Sequence, residues 1–184
     1  MKRRLVPLAL LALSAVALAL PLGASTFIFT PQRDLVRDAS AIVQGKVLST
    51  SSFWNETGQV IVTEAVFQVE ERLVGKAPSV IVVRTFGGRV GDFIVEASGF
   101  PTFRKGERQL LFLDAEKGGH TKVLGYQQGQ FRIERDAKGN DFARPAVDAG
   151  STFVGQAAPA KTLSLAALKS SILRDARALG RATN

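Results

Sequence analysis

The arrangement of apolar and polar residues predicts a chain made mainly of β-strands. Residues 41–48 are apolar and β-branched, and residues 59–73 form a long run in which Ala65, Phe67 and Val69 alternate with polar side chains. Alternation of this kind is typical of a strand with one buried face. A strand of this length coils, which favours a barrel.

Shorter apolar segments separated by glycine-rich turns continue the pattern. Residues 110–113 are apolar on both faces, so we expect them to form the most central strand. The polar stretch 49–58 is expected to end the first strand, and Gly87-Gly88 to make a tight reversal. This spacing predicts an antiparallel barrel or sandwich, and we favour an OB-like antiparallel β-barrel over residues 25–142.

Helical signals flank the strands. Thr30 and Pro31 are typical of a helix start and predict a short N-terminal helix. After an Ala-, Gly- and Pro-rich extended linker at 143–161, apolar residues recur at steps of three and four. They predict an amphipathic C-terminal helix over 162–180, docked on the barrel or, alternatively, offered to a partner.

The first 24 residues have the pattern of a secretory signal peptide. Three basic residues precede an apolar run over 5–20, and Pro21 and small residues follow it. Because that run is shorter than the roughly 20 residues of a membrane span, we favour a cleaved leader over an anchor. The mature protein is then expected to be secreted or periplasmic, without a membrane span.

Composition narrows the chemistry that the chain can perform. The 184 residues contain no Cys, one His and a single Met at position 1. This excludes disulfides, thiol catalysis, Cys-based metal centres and sites that need two imidazoles. No metal or cofactor is therefore predicted. The formal charge of +8 includes three cations of the leader; without them 21 basic and 16 acidic residues leave +5.

Beside a protein-binding function, two alternatives remain open: a hydrolase and a binder of anionic polymers. A secreted hydrolase would have to use scattered carboxylates, because Ser98 lacks a Gly-x-Ser-x-Gly turn and the adjacent Glu70 and Glu71 point to opposite faces of a strand. An OB-type binder of single-stranded nucleic acid or another anionic polymer would need exposed aromatic rings interleaved with cations. Nucleic acid is not expected as the partner, since Phe67 and Phe112 alternate towards the core.

Two loop clusters supply the candidate binding residues, which are Phe53, Trp54, Phe100, Phe103 and Arg104. Aromatic residues in loops either cap a barrel end or face a partner, and both alternatives stay open. Trp, Phe and Arg are frequent anchors of protein interfaces. The favoured function is a non-catalytic binding module of the cell envelope or extracellular space, whose partner is another exported protein.

A series of sequence blocks follows in a fixed order within residues 30–135, namely 39–47, 66–76, 80–84, Gly87-Gly88, 106–108 and 110–113. This order resembles uncharacterised secreted bacterial proteins and, more distantly, the netrin-module and tissue-inhibitor-of-metalloprotease group. The resemblance implies a five-stranded OB-type barrel with flanking helices and the regulation of a protease. The tissue inhibitors chelate the protease zinc through a disulfide-tied N-terminal Cys. This chain has no Cys, so that mechanism and its residues do not carry over.

Overall fold

The computed structural model describes residues 26–115, 120–148, 151–155 and 161–183. The predicted signal peptide at 1–24 lies outside the described residues. Within the described ranges, none of the helices combines the length and apolarity that a membrane crossing requires. The chain is mainly β, as predicted.

Strands account for most of the regular structure in the described ranges. They are β1 (Thr26–Ile28), β2 (Ala41–Trp54), β3 (Ile61–Gly75), β4 (Val80–Phe86), β5 (Gly88–Val90), β6 (Phe93–Val95), β7 (Arg108–Ala115), β8 (Thr121–Val123), β9 (Gln130–Arg135), β10 (Asp141–Pro145), β11 (Thr152–Val154) and β12 (Leu163–Ser164). The helices are α1 (Gln32–Asp38), α2 (Leu165–Ala178) and a short 3-10 helix, Tyr126–Gly129.

Five strands close a barrel in the order β7-β2-β3-β4-β8, because β8 pairs with both β4 and β7. Four of these pairings are antiparallel, whereas β4 and β8 pair in parallel at Val83 and Thr121. Five strands cannot alternate in direction all the way round a closed ring, so one parallel neighbour is unavoidable. The predicted β-barrel is confirmed, but the prediction that it is antiparallel throughout is not.

The barrel interior is filled with side chains from the long coiled strands and their neighbours. Its buried cluster consists of Ala41, Val43, Val47, Ala65, Phe67, Val69, Ile81, Val83, Phe103, Leu111, Leu113 and Val123. The ladder between β2 and β3 contains three register shifts, and Gly45 lies at one of them. A side chain at Gly45 would overlap the carbonyl oxygen of Gln68, so glycine lets the two strands approach closely.

The strand β2 is longer than its polar sequence predicted. It continues through the first polar residues to Trp54, which pairs with Ile61 of β3. Backbone pairing does not require apolar side chains, and most side chains of residues 49–54 are exposed. The predicted reversal at Gly87-Gly88 is also displaced. Gly87 only separates β4 from β5, and the chain reverses at Gly91 and Asp92, between β5 and β6.

A second layer covers the barrel on one side. Strands β9, β10 and β12 extend the sheet beyond β7, and the apolar faces of α1 and α2 pack on it. The buried cluster of this layer is Leu35, Val36, Ala39, Ile42, Leu73, Val74, Leu110, Phe112, Phe131, Ala143, Leu165, Leu168, Ile172 and Ala176. The predicted C-terminal helix is thus confirmed. The hydroxyl of Ser164 accepts a hydrogen bond from the Ala167 amide at 3.2 Å and so caps the start of α2.

The N-terminal end of the chain differs in detail from the prediction. Pro31 is the residue that precedes α1, and the Thr30 amide donates to the Gln128 side chain at 2.9 Å, so Thr30 does not cap the helix. The segment predicted as a linker, 143–161, contributes the end of β10 and the strand β11, which pairs in parallel with β1. The division into domains stays a prediction.

Candidate functional site

The hairpin of β5 and β6 and the adjacent end of β2 carry four exposed large apolar side chains, one of which belongs to the predicted cluster of Phe53 and Trp54. In β6, Phe93, Ile94 and Val95 are 63%, 54% and 40% exposed, and Trp54 at the end of β2 is 38% exposed. The rings of Trp54 and Phe93 meet nearly edge-on, with centroids 5.5 Å apart. We call Trp54, Phe93, Ile94 and Val95 the hairpin surface.

The exposure of these residues follows from the topology. Within the described residues β5 and β6 pair only with each other, so β6 is an edge strand with no neighbour on its outer side. Gly88 fixes the hairpin close to β2 and β3, since a side chain there would approach the Cβ atom of Ser52 to 2.9 Å. A two-stranded hairpin cannot bury both faces by itself. Phe93 and Val95 share one face of β6 and Ile94 lies on the other. Exposed apolar side chains grouped in this way on one element mark interaction surfaces.

A cavity of about 340 Å³ lies next to the parallel contact of β4 with β8, and residues of both strands line it. Its lining is Val62, Arg84, Thr85, Phe86, Phe100, Pro101, Asp114, Lys122, Val123, Leu124, Gly125 and Tyr126. The two strands pair only at Val83 and Thr121, and beyond this position the loop residues Phe100 and Pro101 lie between them. The Thr85 hydroxyl donates to the Pro101 carbonyl at 2.9 Å and holds the loop there.

Three aromatic rings form one wall of this cavity. Phe100 meets Phe86 at a centroid distance of 5.1 Å and Tyr126 at 5.0 Å, both nearly edge-on. Tyr126 has a φ of 56° and follows Gly125, whose φ is 70°. A left-handed backbone is costly for a bulky residue, and such strained residues cluster at functional sites.

Charged side chains from β4 and β8 border the same cavity. Nε and Nη2 of Arg84 both donate to one carboxylate oxygen of Glu64, at 3.1 and 2.7 Å. Nζ of Lys122 lies 3.8 Å from the Asp114 carboxylate, which is a loose ion pair. Nδ1 of His120 lies 3.7 Å from Glu64. The lining itself thus carries two cations and one carboxylate.

The five candidate residues lie in separate places. Phe53 is half-buried with the Arg84 guanidinium 5.8 Å from its ring, and Trp54 belongs to the hairpin surface. Phe100 is a wall of the cavity, whereas Phe103 is only 9% exposed and packs inside the barrel. Arg104 is exposed in the loop before β7. The two loop clusters therefore do not form a single surface.

Sequence reasoning missed several residues of these two regions. Phe86, Phe93 and Tyr126 were not singled out because an apolar residue in a strand or turn is normally buried. The available signal was the apolar run 93–95, which directly follows the Gly91-Asp92 turn. Only the three-dimensional structure, in which β5 and β6 pair with each other alone, explains the exposure of this run.

Glu70 and Glu71, the carboxylates considered for the hydrolase alternative, both lie in ion pairs. Glu71 contacts Lys169 at 2.5 Å, and Glu70 lies 3.7 Å from Arg108. Hydrogen bonds from Arg135 and from Arg108 hold the pKa of Asp141 well below its ordinary value. In the described part of the chain no three His, Asp or Glu side chains come together as a metal site would need.

The basic residues on the outer strands alternate with acids. A shallow depression there is lined by Thr102, Arg104, Glu107, Arg108, Arg132, Ile133, Glu134, Arg144 and Asp148. Arg144 donates to Glu134 at 2.5 Å, and Arg108 to Asp141 at 2.8 Å. This lining contains no aromatic ring on which a nucleic-acid base could stack. The polymer-binding alternative is therefore not favoured at this face.

The sequence matches no protein-family model and no curated protein, and the structure matches no solved structure. The similarity to the netrin-module and tissue-inhibitor group rests on the block order described above and stays a prediction.

Proposed function

We propose that the chain is an exported, non-catalytic binding module that recognises another exported protein through the hairpin surface. The observation that carries this proposal is the exposure of Phe93, Ile94 and Val95 in β6 and of Trp54 at the neighbouring end of β2. The leader pattern at 1–24 supports export.

The chemistry of the hairpin surface suits a protein interface. Aromatic anchors supply much of the binding energy at such interfaces, and Trp is the most enriched of them. Trp54 and Phe93 are already in edge-on contact in the free protein, which restricts the freedom of both rings. Rings that are already ordered lose less entropy when a partner covers them.

We further propose that the barrel is OB-like. Strands β7-β2-β3-β4 have the spatial order of a Greek key, in which a fourth strand returns beside the first, and β8 closes the ring. A five-stranded Greek-key barrel is the OB architecture. This fold leaves the function open, and a protease as the partner rests on the family resemblance alone.

A capture experiment tests the proposed function. The full chain is expressed with its leader in the native source, recovered from the secreted fraction and used to retain other secreted proteins. We expect wild type to retain a specific partner and the double variant Trp54→Ser/Phe93→Ser to lose it. The matched control is Val80→Ser/Val82→Ser, which also removes two exposed apolar side chains, both from β4.

Two results would contradict the proposal. Equal retention by both double variants would show that the hairpin surface does not bind the partner. A protein that stays in the cytoplasm with residues 1–24 intact would remove the basis for an exported partner. Far-UV circular dichroism establishes that each variant keeps its strand content.

A further inference from the structure

We infer that the cavity between β4 and β8 is a binding site for a small monocarboxylate with a planar, apolar body. This inference is separate from the proposed protein interface, because the cavity lining and the hairpin surface share no residue. It rests on the size of the cavity, on its aromatic wall and on the N–H donors of Arg84 and Lys122.

The size of the cavity limits the ligand to a small molecule. A volume of about 340 Å³ lies at the lower end of the range for small-molecule sites, which is roughly 300–1,000 Å³. A strand of a partner protein or several stacked nucleotides would not fit. Loop residues Phe100 and Pro101 form one side of the cavity, and the Thr85 hydrogen bond keeps that side in place.

The apolar part of the lining indicates a planar ligand body. One wall consists of three aromatic rings, in which Phe100 lies between Phe86 and Tyr126 and meets each of them nearly edge-on. Rings held in this way present both edges and faces to a flat apolar ligand. Tyr126, whose φ of 56° is unusual for a residue other than glycine, contributes the last ring of this wall.

The charged part of the lining indicates a carboxylate on the ligand. Glu64 engages two of the five N–H donors of Arg84, so this guanidinium keeps donors for a second carboxylate. Lys122 is held by Asp114 only loosely and lies on the opposite strand. Each cation faces one carboxylate, Glu64 for Arg84 and Asp114 for Lys122, so the inference rests on the N–H donors that these carboxylates leave free and that a ligand carboxylate can accept. A cationic ligand carries no acceptor and cannot use these donors.

The test uses 2-naphthoate as the probe, with uncharged 2-naphthamide and cationic 2-naphthylmethylamine as matched compounds, titrated by calorimetry into the full secreted chain. We expect naphthoate to bind about tenfold more tightly than naphthamide, since charge-assisted hydrogen bonds are the stronger ones. Naphthylmethylamine is expected not to bind. Lys122→Gln should remove most of the preference for naphthoate, whereas Lys105→Gln, an exposed cation in the loop before β7, should leave it unchanged.

Amide NMR shifts locate the bound probe and make the test independent of the affinity alone. Naphthoate is expected to shift the amides of Lys122, Gly125 and Tyr126. Naphthoate and naphthamide binding equally, an unchanged preference in Lys122→Gln, or shifts confined to other parts of the chain would each overturn the inference. The absence of any binding at millimolar naphthoate would overturn it as well.

Discussion

Gly45→Ala tests the close approach of β2 and β3, on which the shape of the barrel depends. A Cβ atom at Gly45 would overlap the carbonyl oxygen of Gln68 and lie 2.7 Å from the ring of Phe67 and 2.9 Å from the Gln68 carbonyl carbon. Carbon atoms in contact are normally about 3.5–4.0 Å apart. Gln68 pairs with β2 on one side and with β4 on the other, so its backbone cannot move without loosening two ladders.

The cost follows from the kind of atom that has to move. Overpacking a core costs typically about 1–3 kcal/mol, and we expect about 3 kcal/mol here because the obstacle is paired backbone. With a urea m-value of about 2 kcal/mol/M, the unfolding midpoint would fall by about 1.5 M. Gly58→Ala is the control: Gly58 has a φ of 68° and no neighbour within 4 Å of the new side chain. Its left-handed backbone alone should cost about 1 kcal/mol.

The assay is urea unfolding of wild type and both variants, followed by far-UV circular dichroism and by the fluorescence of Trp54, the single Trp of the chain. Using both signals separates loss of the barrel from a local change at the hairpin. Unfolding midpoints for Gly45→Ala and Gly58→Ala that agree within error would refute the reasoning. Overlap with the paired backbone of Gln68 would then cost no more than a side chain on a left-handed backbone in open space.

Three further changes test the second layer and its ion pairs. Ile172→Ala truncates a fully buried residue of α2 and should lower the free energy of unfolding by about 3 kcal/mol in urea titrations; a loss below 1 kcal/mol would contradict the packing of this helix. Ser164→Ala removes the cap of α2 and should cost about 1 kcal/mol and speed hydrogen exchange of the Ala167 amide; unchanged exchange would argue against the cap. Asp141 has a lowered pKa in the folded state, so its stabilising effect is present above the unfolded-state value of about 3.9 and is lost as the pH falls towards the folded-state pKa. Asp141→Asn should therefore flatten the loss of thermal stability below about pH 4, and an unchanged acid limb in melting curves would contradict this.

Local patterns predicted the strands and the C-terminal helix because burial and backbone pairing follow side-chain periodicity. The alternation of Ala65, Phe67 and Val69 corresponds to the buried face of β3. The steps of three and four residues that include Leu168 and Ile172 correspond to the buried face of α2. In both cases apolar side chains repeat at the period of the element, so the sequence of one segment is enough to predict its type and its buried face.

Features that depend on distant pairings could not be predicted in this way. The parallel contact of β4 with β8 joins Val83 to Thr121, and nothing near either residue records it. The cavity exists because these strands separate beyond that contact, so Phe86 and Tyr126 could not be assigned to one wall from sequence. Phe103 shows the converse: it lies in a Gly- and Pro-containing loop, yet its ring fills the barrel.

The most direct test of the central proposal follows Trp54 itself in the complex with a captured partner. Replacement of Trp by 5-fluorotryptophan gives one ¹⁹F resonance, because the chain has one Trp. If the hairpin surface binds the partner, this resonance shifts and becomes protected from a soluble paramagnetic agent as the complex saturates. A resonance that stays in place and remains accessible in the saturated complex would contradict the proposal.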